Sequence, residues 1–170
     1  MNNYLYYLNI NSPTISWRQT MDSFIRRIDP FFSRLTTPFI PLVLLFTRLW
    51  VAWVFFQSGI IKYSSWDSTL YLFEYEYHVP LLPWHWAAYV GTAVEVFIPI
   101  FLTLGLFTRP MAFVLFGFNI MAVVSYPALW EKGFYDHQLW GMMLLTNVIW
   151  GAGSLSFDHF FNRGHLHHSY

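Results

Sequence analysis

The sequence predicts an all-α integral membrane protein, a bundle of four transmembrane helices with an N-terminal amphipathic interfacial helix and a short lid segment on its outer face. Three observations predict it. Of 170 residues, 56% are hydrophobic, 22% aromatic and only 11% charged, where an average soluble domain carries roughly a quarter charged. Four apolar windows each approach the ~20 residues that cross a hydrocarbon core of about 30 Å. The basic residues also fall mainly on one side of those windows. Nine basic and nine acidic residues cancel, and the chain has no basic patch of the kind that nucleic acid requires. The absence of cysteine excludes disulfides, thiol relays, iron–sulfur clusters and covalently attached haem. Any redox chemistry therefore needs a bound cofactor or a substrate.

The first 38 residues show no charged region followed by a short apolar core and a small-residue cleavage site, so no removable signal is expected. They do place Trp17, Met21, Phe24, Ile25, Ile28 and Phe32 on one helical face against Arg18, Asp22 and Arg26, the pattern of a helix lying in the membrane interface or docked on a partner protein. Residues 39–158 form the membrane domain and residues 159–170 a His-rich tail. The first span is expected from Phe39 to Ile61 and the second from Trp84 to Phe107, opened by Trp84, Trp86 and Tyr89 at headgroup level. The third is expected from Met111 to Leu129 and the fourth from His137 to Leu155. Only Thr108, Arg109 and Pro110 join the second to the third, with Pro near a helix start where its missing donor is harmless. These two helices should form an antiparallel hairpin.

Arg18, Arg26, Arg27 and Arg34 precede the first span, and Arg109 and Arg163 lie on the same side of the membrane. The opposite side holds Lys62 and Lys132 beside Asp67, Glu74, Glu76, Glu131 and Asp136. The positive-inside rule then places both termini in the cytoplasm of a multi-pass inner-membrane protein. Between the first two spans, Asp67 is positioned to cap a short helix through Tyr77. Leu70, Phe73 and Tyr77 share a face of it, as a lid lying on the outer membrane surface.

An ionisable residue inside a span marks a functional-site hypothesis, and two occur, Arg48 and Glu95. Counted from the expected helix ends, Arg48 lies about nine residues in and Glu95 about twelve, a difference that an arginine side chain closes. The same count places Asn119 and Asn147 at a similar depth, so all four helices should contribute to one polar layer. That layer reads either as a buried Arg48–Glu95 ion pair that fixes helix docking or as a site for a quinone carbonyl, an anion or a proton. Ala52, Phe55, Gly59 and Lys62 continue the Arg48 face to within about 40°. Ala88, Gly91 and Glu95 repeat the small-residue spacing on the second span, pointing to close packing of the two helices. At the outer mouth Trp66, Asp67, Glu74, Asp136 and His137 can gather around Lys62, as a cluster that admits an anion or carries protons or as a solvated charged rim. His85 and His137 open two spans near one surface but no deeper histidine pair supports a haem, and His165, His167 and His168 form an exposed tail. No metal site is assigned. Phe113, Phe116, Phe118, Trp140 and Trp150 read as packing or lipid-facing residues.

The combination of Leu44-Leu45-Phe46-Thr47-Arg48-Leu49, Phe55-Phe56-Gln57-Ser58-Gly59-Ile60-Ile61-Lys62, Gly91-Thr92-Ala93-Val94-Glu95, Leu104-Gly105-Leu106-Phe107-Thr108-Arg109 and Asp136-His137-Gln138-Leu139-Trp140-Gly141 resembles the DoxX family of small four-helix bacterial membrane proteins. The likeness extends over roughly residues 40 to 158. The family takes its name from a membrane subunit of a thiosulfate:quinone oxidoreductase. The resemblance therefore implies a quinone-linked redox subunit, with headgroup contacts at Arg48, Lys62, Glu95, Asn119, His137, Trp140 and Asn147, and Glu95 and Arg48 as the reactive pair. The chain carries no haem or iron–sulfur motif of its own, so electrons would have to pass directly between a bound substrate and quinone. A further likeness, through Ser65-Trp66-Asp67-Ser68 and Tyr75-Glu76-Tyr77-His78-Val79-Pro80, is to DoxX-like proteins encoded beside enzymes that modify small copper-binding peptides. Two other functions stay open: a membrane scaffold that holds a soluble partner, and a small-solute or metal transporter, which in a chain without an inverted repeat would need a homo-oligomer.

Overall fold

The computed structural model describes the backbone of residues 29–165 and the side chains of 29–161. The chain divides into two compact units, residues 1–38 and 39–170. Within the first, residues 29–36 are helical; most of the expected amphipathic helix lies outside the described residues. The second unit opens with a 3₁₀ turn at Thr37–Phe39 that crosses the boundary, followed by α1 (Ile40–Ser64), α2 (Trp66–Tyr75), α3 (Trp84–Leu104), α4 (Thr108–Ser125), the single turn α5 (Ala128–Glu131), α6 (Phe134–Trp150) and α7 (Phe157–His165).

The stretch ending α1, together with α3 and α4, is long and apolar enough to cross a membrane. The fourth bundle helix, α6, has 17 residues, at the short end of the spanning range. The expected limits shift where glycine and proline act. Gly105, at φ 68°, closes α3 three residues early in a left-handed C-cap. Gly151, at φ 76°, likewise stops α6 at Trp150. The lid helix α2 starts at Trp66 with Ser65 at its N-cap, so Asp67 sits inside the first turn rather than capping it.

Each bundle helix buries one stripe at a spacing of three to four residues: Leu44, Arg48, Val51, Ala52, Phe55 and Gly59 on α1, and Ala88, Gly91, Thr92, Glu95, Pro99 and Leu102 on α3. α1 packs chiefly on α3 and α4 on α6, and the two pairs are joined through α1–α6 and α3–α4 contacts. Val51, Ala52, Phe55, Leu102, Ala112, Leu115 and Leu144 form the core. Phe46, Trp53, Ile61, Phe97, Phe113 and Val124 face outward, as expected where lipid replaces water around the bundle. The lid α2 covers α3 through Phe73 against Ala87 and Ala88, with Leu70, Tyr77 and Val79 packed around them.

The α1–α3 contact is closest at Gly59, where a Cβ would lie 2.9 Å from the Glu95 carbonyl carbon and 2.9 Å from a Val96 methyl. Gly91 faces elsewhere: its nearest neighbours are the rings of Phe73 in the lid and Phe118 on α4, which corrects the expected role of the Ala88-Gly91 spacing in the α1–α3 contact. Gly59→Ala should separate α1 from α3 and lower stability by about 1–3 kcal/mol. Gly117→Ala, with nothing within 4 Å of the new Cβ, should be neutral or slightly stabilising through helix propensity. Thermal unfolding of both variants in the same detergent checks the contrast.

Candidate functional site

The polar residues of the bundle form two separate groups, not one layer. At the end away from the lid, Arg48 is 2% exposed and donates to the carbonyl of Ala152 at 3.2 Å and to that of Leu155 at 2.9 Å. Asn147 joins the same group, donating to Thr47 Oγ1 at 3.1 Å and to the Met143 carbonyl at 2.9 Å. The carboxylate whose field reaches Arg48 is that of Asp158. Asp158 accepts hydrogen bonds from the Phe107 and Thr108 amides at 2.8 and 2.9 Å, and its own amide donates to the Gly105 carbonyl at 3.0 Å. It thereby satisfies the N-terminus of α4, which no local side chain caps.

The expected Arg48–Glu95 pair does not form. Glu95 is level with Gly59, eleven residues from Arg48 on α1, or roughly 16 Å along the axis, beyond the reach of an arginine. The ends of the helices are not flush: Gly105, which closes α3, lies against the Arg48 guanidinium, with a Cβ there falling 2.7 Å from Nη1. Arg48 is therefore level with the far end of α3, and Glu95 lies well towards the lid.

Under the lid, Glu95 is 5% exposed and its Oε2 lies 2.6 Å from Lys62 Nζ. This is the one salt bridge among the described residues. Ser58 completes the group, accepting from Lys62 at 2.8 Å and donating to Glu95 Oε1 at 3.3 Å. Ser58 precedes Lys62 by one helical turn, so the i, i+4 spacing on α1 carried a signal for it. Lys62 and Glu95 line a cavity of about 120 Å³, with Phe73, Tyr77, Gly91, Phe118 and Ser125 among its walls. The Ser125 hydroxyl is buried and has no partner among the described residues.

The roof is aromatic and hydrogen-bonded. Tyr77 stacks on Phe73 at 4.5 Å and on Tyr126 at 4.6 Å, Tyr126 donates to Glu76 at 3.1 Å, and the His78 amide donates to the Ser125 carbonyl at 2.7 Å. Burial first, and then the nearby Glu95 charge, push the Tyr77 phenol up to about 12. It remains a neutral roof at any physiological pH. Thr69 ties the lid to α1 by donating to the Lys62 carbonyl at 2.9 Å.

Asn119 and His137 pair with each other on the α4–α6 side. Asn119 Nδ2 donates to the His137 carbonyl at 2.9 Å, and its Oδ1 faces His137 Nδ1 at 2.8 Å. A carbonyl only accepts, so the amide orientation is fixed and His137 Nδ1 is the donor to Asn119 Oδ1. Trp140 lies edge-on to His137 at 4.7 Å and to Phe55 at 5.9 Å. Of the rim residues, Asp67, Glu74 and Asp136 are exposed and make no salt bridge with Lys62, and Trp66 packs on Tyr89 at 4.8 Å. Hydration of an exposed carboxylate outweighs a partly screened attraction to a lysine already paired with Glu95.

The family pattern described as DoxX matches residues 43–128, half of the chain. The chain belongs to the DoxX family. No curated protein and no solved structure matches it. The matched range contains Arg48, Ser58, Lys62, Glu95, Asn119 and Ser125 and stops short of α6, so His137, Trp140, Asn147 and Asp158 lie beyond it.

Removing one partner of a buried ion pair leaves a charge without compensation, whereas replacing both with apolar groups does not. Lys62→Met should destabilise the detergent-solubilised protein by about 3–5 kcal/mol, and Lys62→Met with Glu95→Leu should recover most of that loss. Equal stability of the single and double variants in thermal unfolding would show that Glu95 carries no charge at this position.

Proposed function

We propose that this DoxX family protein is the membrane subunit of a quinone-linked redox system, and that the Lys62–Glu95 pair beneath the lid contacts the quinone headgroup. The observation that carries the reading is a buried, hydrogen-bonded charge pair at a cavity walled by aromatic rings. A lysine ammonium has three N–H groups. One is directed to Glu95 and one to Ser58, which leaves a third for a quinone carbonyl. Phe73, Tyr77 and Phe118 supply flat apolar walls for the ring, and the buried Ser125 hydroxyl offers a further polar contact.

Reduction of a quinone to a quinol consumes two electrons and two protons. Lys62 polarises the carbonyl and donates the first proton to it, and the Glu95 carboxylate takes up a proton from solvent at the lid end and passes it to Lys62 through their hydrogen bond. A second such transfer completes the quinol, and the two electrons come from a substrate or a partner subunit. His137, held by Asn119 through Nδ1, is a further group able to relay protons. Arg48 and Asn147 have no part in this reading, because they lie far from Glu95, Arg48 bonded to the Ala152 and Leu155 carbonyls and Asn147 to Thr47 and Met143. The distribution of arginine supports placement in a bacterial inner membrane with both termini cytoplasmic and the lid outside.

The experiment is gentle purification in detergent followed by mass spectrometry of the extracted small molecules. The wild-type protein should carry near-stoichiometric quinone, and the Lys62→Met, Glu95→Leu double variant should retain at most about a tenth of it, the loss expected when hydrogen bonds worth roughly 1.4 kcal/mol disappear. A folded double variant that keeps its quinone would reduce the pair to a packing element.

A further inference from the structure

The end of the bundle opposite the lid carries a second, open cleft of about 470 Å³, bounded by the α3–α4 joint, the turn after α6 and the start of α7. Its polar side chains are those of Thr108, Arg109, Ser156, Asp158 and His159. Arg109 lies across the turn after α6: a Cβ at Gly151 would fall 3.2 Å from Arg109 Nε, so the glycine both supplies the positive φ and leaves room for the guanidinium. The hydrogen bond that holds Arg109 is a long one, from Nη2 to the Ile149 carbonyl at 3.4 Å, and the side chain is exposed.

Thr108, 1% exposed, lines the same cleft, and its hydroxyl has no partner among the described residues. Nε2 of His159, another lining residue, is likewise buried and unpartnered. The acidic group present, Asp158, has both carboxylate oxygens engaged by the amides that open α4. A guanidinium, a hydroxyl and an imidazole with one engaged carboxylate do not suit a cation. They suit a tetrahedral oxyanion, which arginine binds in a bidentate manner.

We propose that this cleft binds a phosphate group, with Arg109 as the main ligand and Thr108 and His159 as further hydrogen-bond partners. Phe107 and Trp150 flank it and are 64% and 60% exposed, as aromatic rings are at headgroup level. A phospholipid headgroup is therefore one source of the phosphate, and a free phosphate ion the other. The site is separate from the Lys62–Glu95 cavity and does not depend on the quinone reading.

The test uses the full chain in detergent, titrated in parallel with short-chain phosphatidylglycerol, followed by native mass spectrometry, and with inorganic phosphate, followed by calorimetry. Arg109→Gln should weaken binding about tenfold and Arg109→Lys by less, while Lys132→Gln, at the lid end, should leave it unchanged. Loss confined to the lipid titration assigns the site to a headgroup, and loss confined to inorganic phosphate assigns it to the free ion. Binding of both ligands that is undetectable or indifferent to Arg109→Gln overturns the proposal. Because the exposed Arg109 contributes little to packing, retention of the wild-type unfolding temperature separates a lost site from a lost fold.

Discussion

A charge inside a bilayer has no water to complete its hydrogen bonds, so each buried ionic group in this bundle has to find partners in the chain itself. The two intramembrane charges meet that demand differently. Arg48 is satisfied by backbone carbonyls, those of Ala152 and Leu155, and these are available only because α6 stops at Gly151 and the following residues fold across the end of the bundle. Glu95 is satisfied by a counter-charge, Lys62, which extends from the last turn of α1. One solution anchors the tail. The other leaves an ion pair beside a cavity.

The separation of the two groups follows from the close approach at Gly59. Contact between that glycine and the Glu95 backbone sets the register of α1 against α3, and with it the depth of every other polar residue on the two helices. The far end of α3 then lies level with Arg48, and the glycine that closes the helix packs on the guanidinium. The joint beyond it has a left-handed Phe107 and an α4 N-terminus without a local cap. Asp158 supplies that cap from fifty residues away. Arg48, the joint and the tail are thus one mutually dependent structure at one end, while the lid, Lys62 and Glu95 form another.

The two ends of the bundle are built differently. The lid end combines an aromatic enclosure with the Lys62–Glu95 ion pair. The opposite end presents an open cleft lined by Arg109 and His159 beside the exposed rings of Phe107 and Trp150. In this multi-pass member of the DoxX family the buried ion pair lies at the lid end and the tail is fastened at the other.

The membrane class, the helices and the buried character of Arg48 and Glu95 were legible in the sequence, because hydropathy and helical spacing are local properties that hold whatever the neighbouring helices do. Ser58 was missed, although its place one turn before Lys62 was a local signal. The pairing of charges was not legible. Counting from estimated helix ends assumes that the helices finish flush, and an error of a few residues at each end, here from the left-handed Gly105 and the early stop at Gly151, moves an expected partner by several ångströms. Asp158 left no local trace, since a cap contributed by a distant segment has no sequence spacing to read. The sequence by itself determined which residues must be buried and therefore partnered. Only the tertiary structure, through the register fixed at Gly59 and the fold of the tail across the bundle end, decided which partner each one received.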